Sequence, residues 1–169
     1  MDLALLILRL VTALALMGHG AQKLFGWFGG PGLSGISGWL ASMRLRPPRF
    51  WAFMAGTAEF GGGLLLTLGL FSPLGSLGIG ASMLVAIAKV HWPRFWATDN
   101  GFELPLEYLT VVLAVGIAGP GAYSLDHGLG TALSASAALM GVVLVLIGWL
   151  AVLVSTASQP GSASKTASR

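Results

Sequence analysis

Acids, bases and amides recur at helical spacing in this chain. His19, Gln22 and Lys23 stand three and four residues apart, which puts all three on one face of a helix. Glu103 and Glu107 repeat the four-residue interval. Glu59 stands alone in an otherwise apolar stretch, and Lys89 and His91 close another. Side chains of these types accept, hold and pass protons. An ionisable group inside hydrocarbon is costly, so several of them together mark a functional site by default.

The elements that must carry them are five apolar segments, at 3–25, 50–70, 74–91, 104–118 and 132–154. The chain has 169 residues, of which 55% are hydrophobic and 9% charged. Soluble domains carry about 25% charged residues, so the composition points to a bilayer. A crossing helix needs about 20 residues. The first, second and fifth segments reach that length, the third is at the lower limit, and the fourth is short unless its flanks sit at the interfaces. None alternates apolar with polar residues as a barrel strand does. The predicted fold is an all-α integral membrane protein: a four-helix transmembrane bundle plus a fifth C-terminal transmembrane helix. Residues 1–127 make the four-helix membrane domain, 128–154 the additional helix, and 155–169 a disordered cytoplasmic tail rich in Ser, Ala and Thr. The first segment reads as a retained helix, because the start Met1-Asp2-Leu3 lacks the basic region of a signal peptide.

Proline and glycine mark the joints. Ser72-Pro73 predicts a tight turn and an antiparallel hairpin of the second and third segments. Gly119-Pro120-Gly121 ends the fourth, and the Gly-rich stretch 26–32 predicts an interfacial or re-entrant turn. Gly56, Gly61, Gly62, Gly63 and Gly69 in the second segment predict close helix packing.

Arg44, Arg46, Arg49, Arg94, Lys165 and Arg169 all fall on the side opposite the N-terminus, and the other side's loops have no Lys or Arg. The positive-inside rule therefore predicts the N-terminus outside and the C-terminus in the cytoplasm. All six tryptophans, Trp27, Trp39, Trp51, Trp92, Trp96 and Trp149, lie near the cytoplasmic side, as interfacial anchors do. Glu59 then sits ~13 Å deep from that side, at 1.5 Å per helical residue. Four segments aim their polar groups at one half of the bilayer, where such groups face the bundle interior. Lys23 is placed to pair with Glu59, and Lys89 with Glu103 or Glu107. Arg9, on the other half, snorkels outward or makes a structural pair. His127 falls in a solvated loop.

The absence of cysteine excludes disulfides, thiolate metal sites, iron–sulfur ligation and a dithiol relay within the chain. Redox chemistry here needs a bound cofactor or a partner. The net charge of +3 comes without a basic, aromatic-interleaved stripe, so no nucleic-acid partner is expected. His19 and His91 lack any further haem signature, and no spacing motif supports zinc, so neither group and no metal site is expected.

Gly18-His19-Gly20-Ala21-Gln22-Lys23-Leu24-Phe25-Gly26-Trp27-Phe28-Gly29-Gly30-Pro31-Gly32 resembles the hallmark HG-x-QK-LFGWFGG-x-G of the DoxX family. Ala58-Glu59-Phe60-Gly61-Gly62-Gly63 is similar to its second-helix AE-x-x-GG signature. Glu103-Leu104-Pro105-Leu106-Glu107-Tyr108 resembles its E-x-P-x-x-Y segment, and Gly119-Pro120-Gly121-Ala122-Tyr123-Ser124-Leu125-Asp126 its closing GPG-x-YSLD. The resemblance covers residues 4 to 126, and the fifth segment departs from it. It implies a bacterial inner-membrane four-helix protein associated with membrane oxidoreductases, the related DoxD proteins being subunits of a thiosulfate:quinone oxidoreductase. On that footing the expected function is a membrane subunit of a quinone-linked oxidoreductase system, concerned with thiosulfate, thiols or oxidative stress. His19, Glu59 and Glu107 are the candidate catalytic proton carriers. Gln22, Lys23, Trp27, Lys89, His91, Glu103 and Tyr108 are the candidate substrate-binding residues, with Lys23 and Lys89 suited to an anion such as thiosulfate. Quinone is the expected cofactor; lipid and the proteins of a redox complex are the expected partners. Two other readings stand beside this one: a non-catalytic scaffold or assembly factor, and a small proton-coupled transporter.

Overall fold

The structure is a computed structural model that describes residues 1–131 and, beyond them, residues 140, 141, 143–145, 147, 148, 150 and 154. Four long helices dominate: α1 (Asp2–Leu24), α3 (Pro48–Leu68), α4 (Ser72–Val85) and α5 (Glu103–Ala118). α4 runs on through a π-helical turn, Ala86–His91. A short α2 (Gly32–Ser42) lies between α1 and α3, and a five-residue α6 (Leu125–Leu129) follows α5. No strand occurs among the described residues.

Local chemistry places the breaks. A single 3-10 turn, Trp27–Gly29, follows α1. Pro48 opens α3, where its missing N–H removes no helical bond. Gly69 ends α3 in the left-handed conformation, φ 64°, that a glycine C-terminus favours. Only Gly69, Leu70 and Phe71 separate α3 from α4, and the two helices pack side by side; the turn lies just before Ser72-Pro73, which opens α4.

The four long helices close into a ring: α1 on α3, α3 on α4, α4 on α5, and α5 back on α1. The ring's centre is apolar, with Ala13, Leu16, Leu66, Ile79, Met83, Val112 and Val115 fully or nearly buried. Most other large apolar side chains on the ring point outward, as Ile7, Val11, Leu14, Leu113 and Ile117 do. A soluble protein would hide such surface; a membrane protein offers it to lipid. Among the described residues, two helices, Asp2–Leu24 and Ser72–His91, are long and apolar enough to cross a membrane.

The structure adds α2, where the sequence reading has a loop. Leu33, Ile36 and Leu40 recur on one face and pack with Leu45, Trp51, Ala52 and Val85. At 11 residues α2 is too short to register as a crossing segment. Of the expected fifth helix, 132–154, the described residues are helical, and Gly141 lies against Leu77 of α4. Residues 132–139 and the expected tail at 155–169 lie outside the described residues.

Candidate functional site

Glu59 is 1% exposed and faces the ring interior from the middle of α3. Lys23, in the last turn of α1, donates Nζ to Glu59 Oε1 and forms an ion pair with it. Ser82, on α4, donates its hydroxyl to the same oxygen at 2.7 Å. Three helices thus converge on one carboxylate. The second oxygen, Oε2, is buried and has no hydrogen-bond partner among the described residues. A buried acceptor normally has one, so Oε2 is a point where a donor can still be received.

α1 can bring Lys23 close to α3 because glycine lines the contact. A Cβ on Gly20 would strike the backbone of Phe60, the residue next to Glu59. Beyond Lys23 the chain doubles back, and a Cβ on Gly30 would come within 2.5 Å of Gln22 Cα. Gln22 Nε2 approaches Phe28 O at 3.5 Å across that turn. Trp27 is 56% exposed and tilts against Phe25, with ring centres 5.0 Å apart.

The remaining candidates are spread around the same end of the ring. His19 is exposed and meets Tyr108 of α5 edge-on, with ring centres 6.1 Å apart. Glu107, beside Tyr108, is exposed. Glu103 accepts from the Ala97 backbone N–H at 2.8 Å and so fastens the loop before α5. His91 Nδ1 lies 2.6 Å from Asn100 O and closes the same loop from the other side. Lys89 is half-buried on the π-helical turn. The structure therefore brings Lys23 to Glu59 and His19 to Tyr108, and it sets His91 and Glu103 at the two ends of the loop between α4 and α5. An open recess lined by Arg94, Thr98, Asp99 and Asn100 lies in that loop. Among the described residues no group of three His, Asp or Glu side chains is arranged to hold a metal ion.

The far end of the ring holds a second polar centre. Arg9 is 1% exposed, and its guanidinium donates to Pro120 O and, at 2.5 Å, to Tyr123 O. It turns inward to backbone carbonyls rather than snorkelling. Asp126, also buried, accepts the backbone N–H groups of Phe71 at 2.9 Å and Ser72 at 3.1 Å, and the Thr131 hydroxyl at 3.1 Å. It thereby caps the start of α4. Asp2 accepts from Ala122 N–H at 2.9 Å. The segment Gly119–Asp126 is thus a strap tied to α1 and to the α3–α4 turn. His127 is exposed.

Sequence reasoning missed Ser82 and the capping role of Asp126. A lone serine in an apolar helix carries no signal, because its hydroxyl can bond its own backbone. Asp126 is visible in the sequence only as the last residue of the GPG-x-YSLD segment.

Residues 4–92 match the DoxX family model. The chain belongs to the DoxX family. The match takes in His19, Gln22, Lys23, Trp27, Glu59, Lys89 and His91, and stops short of Glu103, Glu107 and Tyr108. No curated protein and no solved structure matches this DoxX chain. Family membership agrees with the outward-facing apolar surface of the ring: this is a DoxX membrane protein.

Proposed function

We propose that this DoxX protein is the membrane subunit of a quinone-linked oxidoreductase system. Its seat is a bacterial inner membrane, crossed by α1, α3, α4, α5 and the fifth segment expected at 132–154, with the N-terminus outside and the C-terminus in the cytoplasm. The observation that carries the reading is the Glu59 carboxylate, held by Lys23 and Ser82 through one oxygen while the other stays buried, without a partner among the described residues. A site that exchanges protons with a lipid-borne head group needs such an acceptor inside the membrane. His19, one turn from Lys23 on α1, is exposed and meets Tyr108 of α5 edge-on. That pair is where an apolar ligand would arrive from lipid. His19 and Tyr108 would hold its ring, and Glu59 would relay protons to it as it is reduced. A bound quinone supplies two-electron, two-proton acceptance. The chain has no cysteine, so electrons come from a partner protein or a diffusible reductant.

The test uses the full chain reconstituted in lipid. Titration with a fluorescent quinone analogue is expected to show saturable binding that weakens at least tenfold in Glu59→Gln and in His19→Ala. No saturable binding by the wild type, or a Glu59→Gln protein indistinguishable from it, overturns the reading.

One observation favours the scaffold reading: the Lys23–Glu59–Ser82 contacts stitch α1, α3 and α4 together, which is what a purely structural cluster does. Stoichiometric co-purification of soluble redox enzymes with a chain that binds no quinone analogue would establish it. The apolar layer of Leu16, Leu66, Ile79 and Val112 between Glu59 and Arg9 gives the transporter reading no support.

A further inference from the structure

The connection from α2 to α3 carries Arg44, Arg46 and Arg49, all exposed. Among the described residues none of the three is paired with a carboxylate. The sequence has no Asp or Glu between Asp2 and Glu59, so no acid lies nearby along the chain. Three unpaired guanidinium groups within six residues repel one another, and something must hold them together.

The backbone does so. Arg44 N–H bonds to Ala41 O and Leu45 N–H to Leu40 O, each at 3.0 Å. This is the double hydrogen bond of a Schellman helix end, and its left-handed position is occupied by Arg44 at φ 62°. Glycine suits that position, and an L side chain there is strained. Leu45 is buried beside Leu40, which fixes the loop from below. Trp51 Nε1 donates to Arg46 O at 3.1 Å, which fixes it from the side. Arg49 stands in the first turn of α3, where the free backbone N–H groups add positive potential. Exposed Trp39 and Phe50 flank the three arginines.

We infer that this connection is a binding surface for the headgroup of an anionic phospholipid, of the phosphatidylglycerol type. Guanidinium groups are suited to phosphate oxygens. Exposed aromatic side chains settle at the level of the headgroups, and basic residues beside a membrane helix attract anionic lipid. Charge and aromatic flanks together select a lipid phosphate at the bilayer surface. The inference is independent of the redox reading.

The experiment incubates the purified full chain in mild detergent with equal amounts of phosphatidylglycerol and phosphatidylcholine, and counts retained lipids by native mass spectrometry. The wild type is expected to retain phosphatidylglycerol preferentially. Each arginine changed to Gln is expected to lower that preference by up to roughly fivefold, and Arg94→Gln is expected to leave it intact. Arg44→Gly separates binding from folding: glycine suits the helix end, so the melting temperature should rise while the lipid preference falls. Equal retention of the two lipids by the wild type overturns the inference. So does an Arg44→Gln/Arg46→Gln/Arg49→Gln chain that keeps the wild-type preference.

Discussion

Ser82 donates its hydroxyl to the Glu59 oxygen that Lys23 also engages, across 2.7 Å. Both donors therefore crowd one oxygen of the carboxylate, and the other is buried without a partner among the described residues. The arrangement joins three helices and is asymmetric at the carboxylate, and the proposed proton-carrying role of Glu59 rests on that asymmetry.

Removing one partner exposes the ion pair's cost. Lys23→Met leaves the Glu59 carboxylate buried without a counter-charge, which destabilises fully buried pairs by roughly 3–5 kcal/mol. The Lys23 side chain keeps 28% exposure, so water reaches it and the loss should fall at or below the low end of that range. The double variant Lys23→Met/Glu59→Gln is expected to recover most of it. Thermal unfolding of the three proteins in one detergent checks both expectations.

Ser82→Ala removes a hydrogen bond to a charged group, worth about 1.5–3 kcal/mol. The helices should stay assembled, since Lys23 still reaches Glu59. A melting temperature unchanged from the wild type would show that the Ser82 contact contributes nothing.

Arg9 ties the strap to the bundle with two carbonyl bonds. Arg9→Lys keeps the charge but loses the planar fork that reaches two acceptors. Faster backbone hydrogen exchange is expected over 119–126 in that variant, with exchange around Glu59 unchanged. Equal protection of the strap in variant and wild type would contradict the assignment.

Two glycines on α1 should respond with opposite signs. Gly18 has open space around a new Cβ, whereas Gly20 meets the Phe60 backbone. Gly18→Ala should stabilise by about 0.4–1 kcal/mol by restricting the unfolded chain. Gly20→Ala forces α1 away from α3 and should destabilise by roughly 1–3 kcal/mol. Parallel denaturation of the pair measures the difference directly.

Much of the layout was legible because bilayer burial and helix geometry act on sequence locally. Apolar runs located α1, α3, α4 and α5, glycine and proline located their ends, and the four-residue interval put His19 and Lys23 on one face. The pairing of Lys23 with Glu59 followed from opposite charges expected at similar depth. α2 escaped because its apolar face is short and becomes meaningful only against α3 and α4.

What the sequence determined by itself is the membrane class, the helix-forming segments and the DoxX motifs, since each depends on residues close together in the chain. Tertiary structure alone decided how the polar residues divide. Helix rotation and ring order set Glu59 inward against Ser82, left His19 and Glu107 at the surface, and drew Arg9 onto the carbonyls of the strap. Those outcomes depend on which helix faces lie opposite one another. Contacts between positions 23, 36 or 111 residues apart supply that information, and no local pattern encodes it.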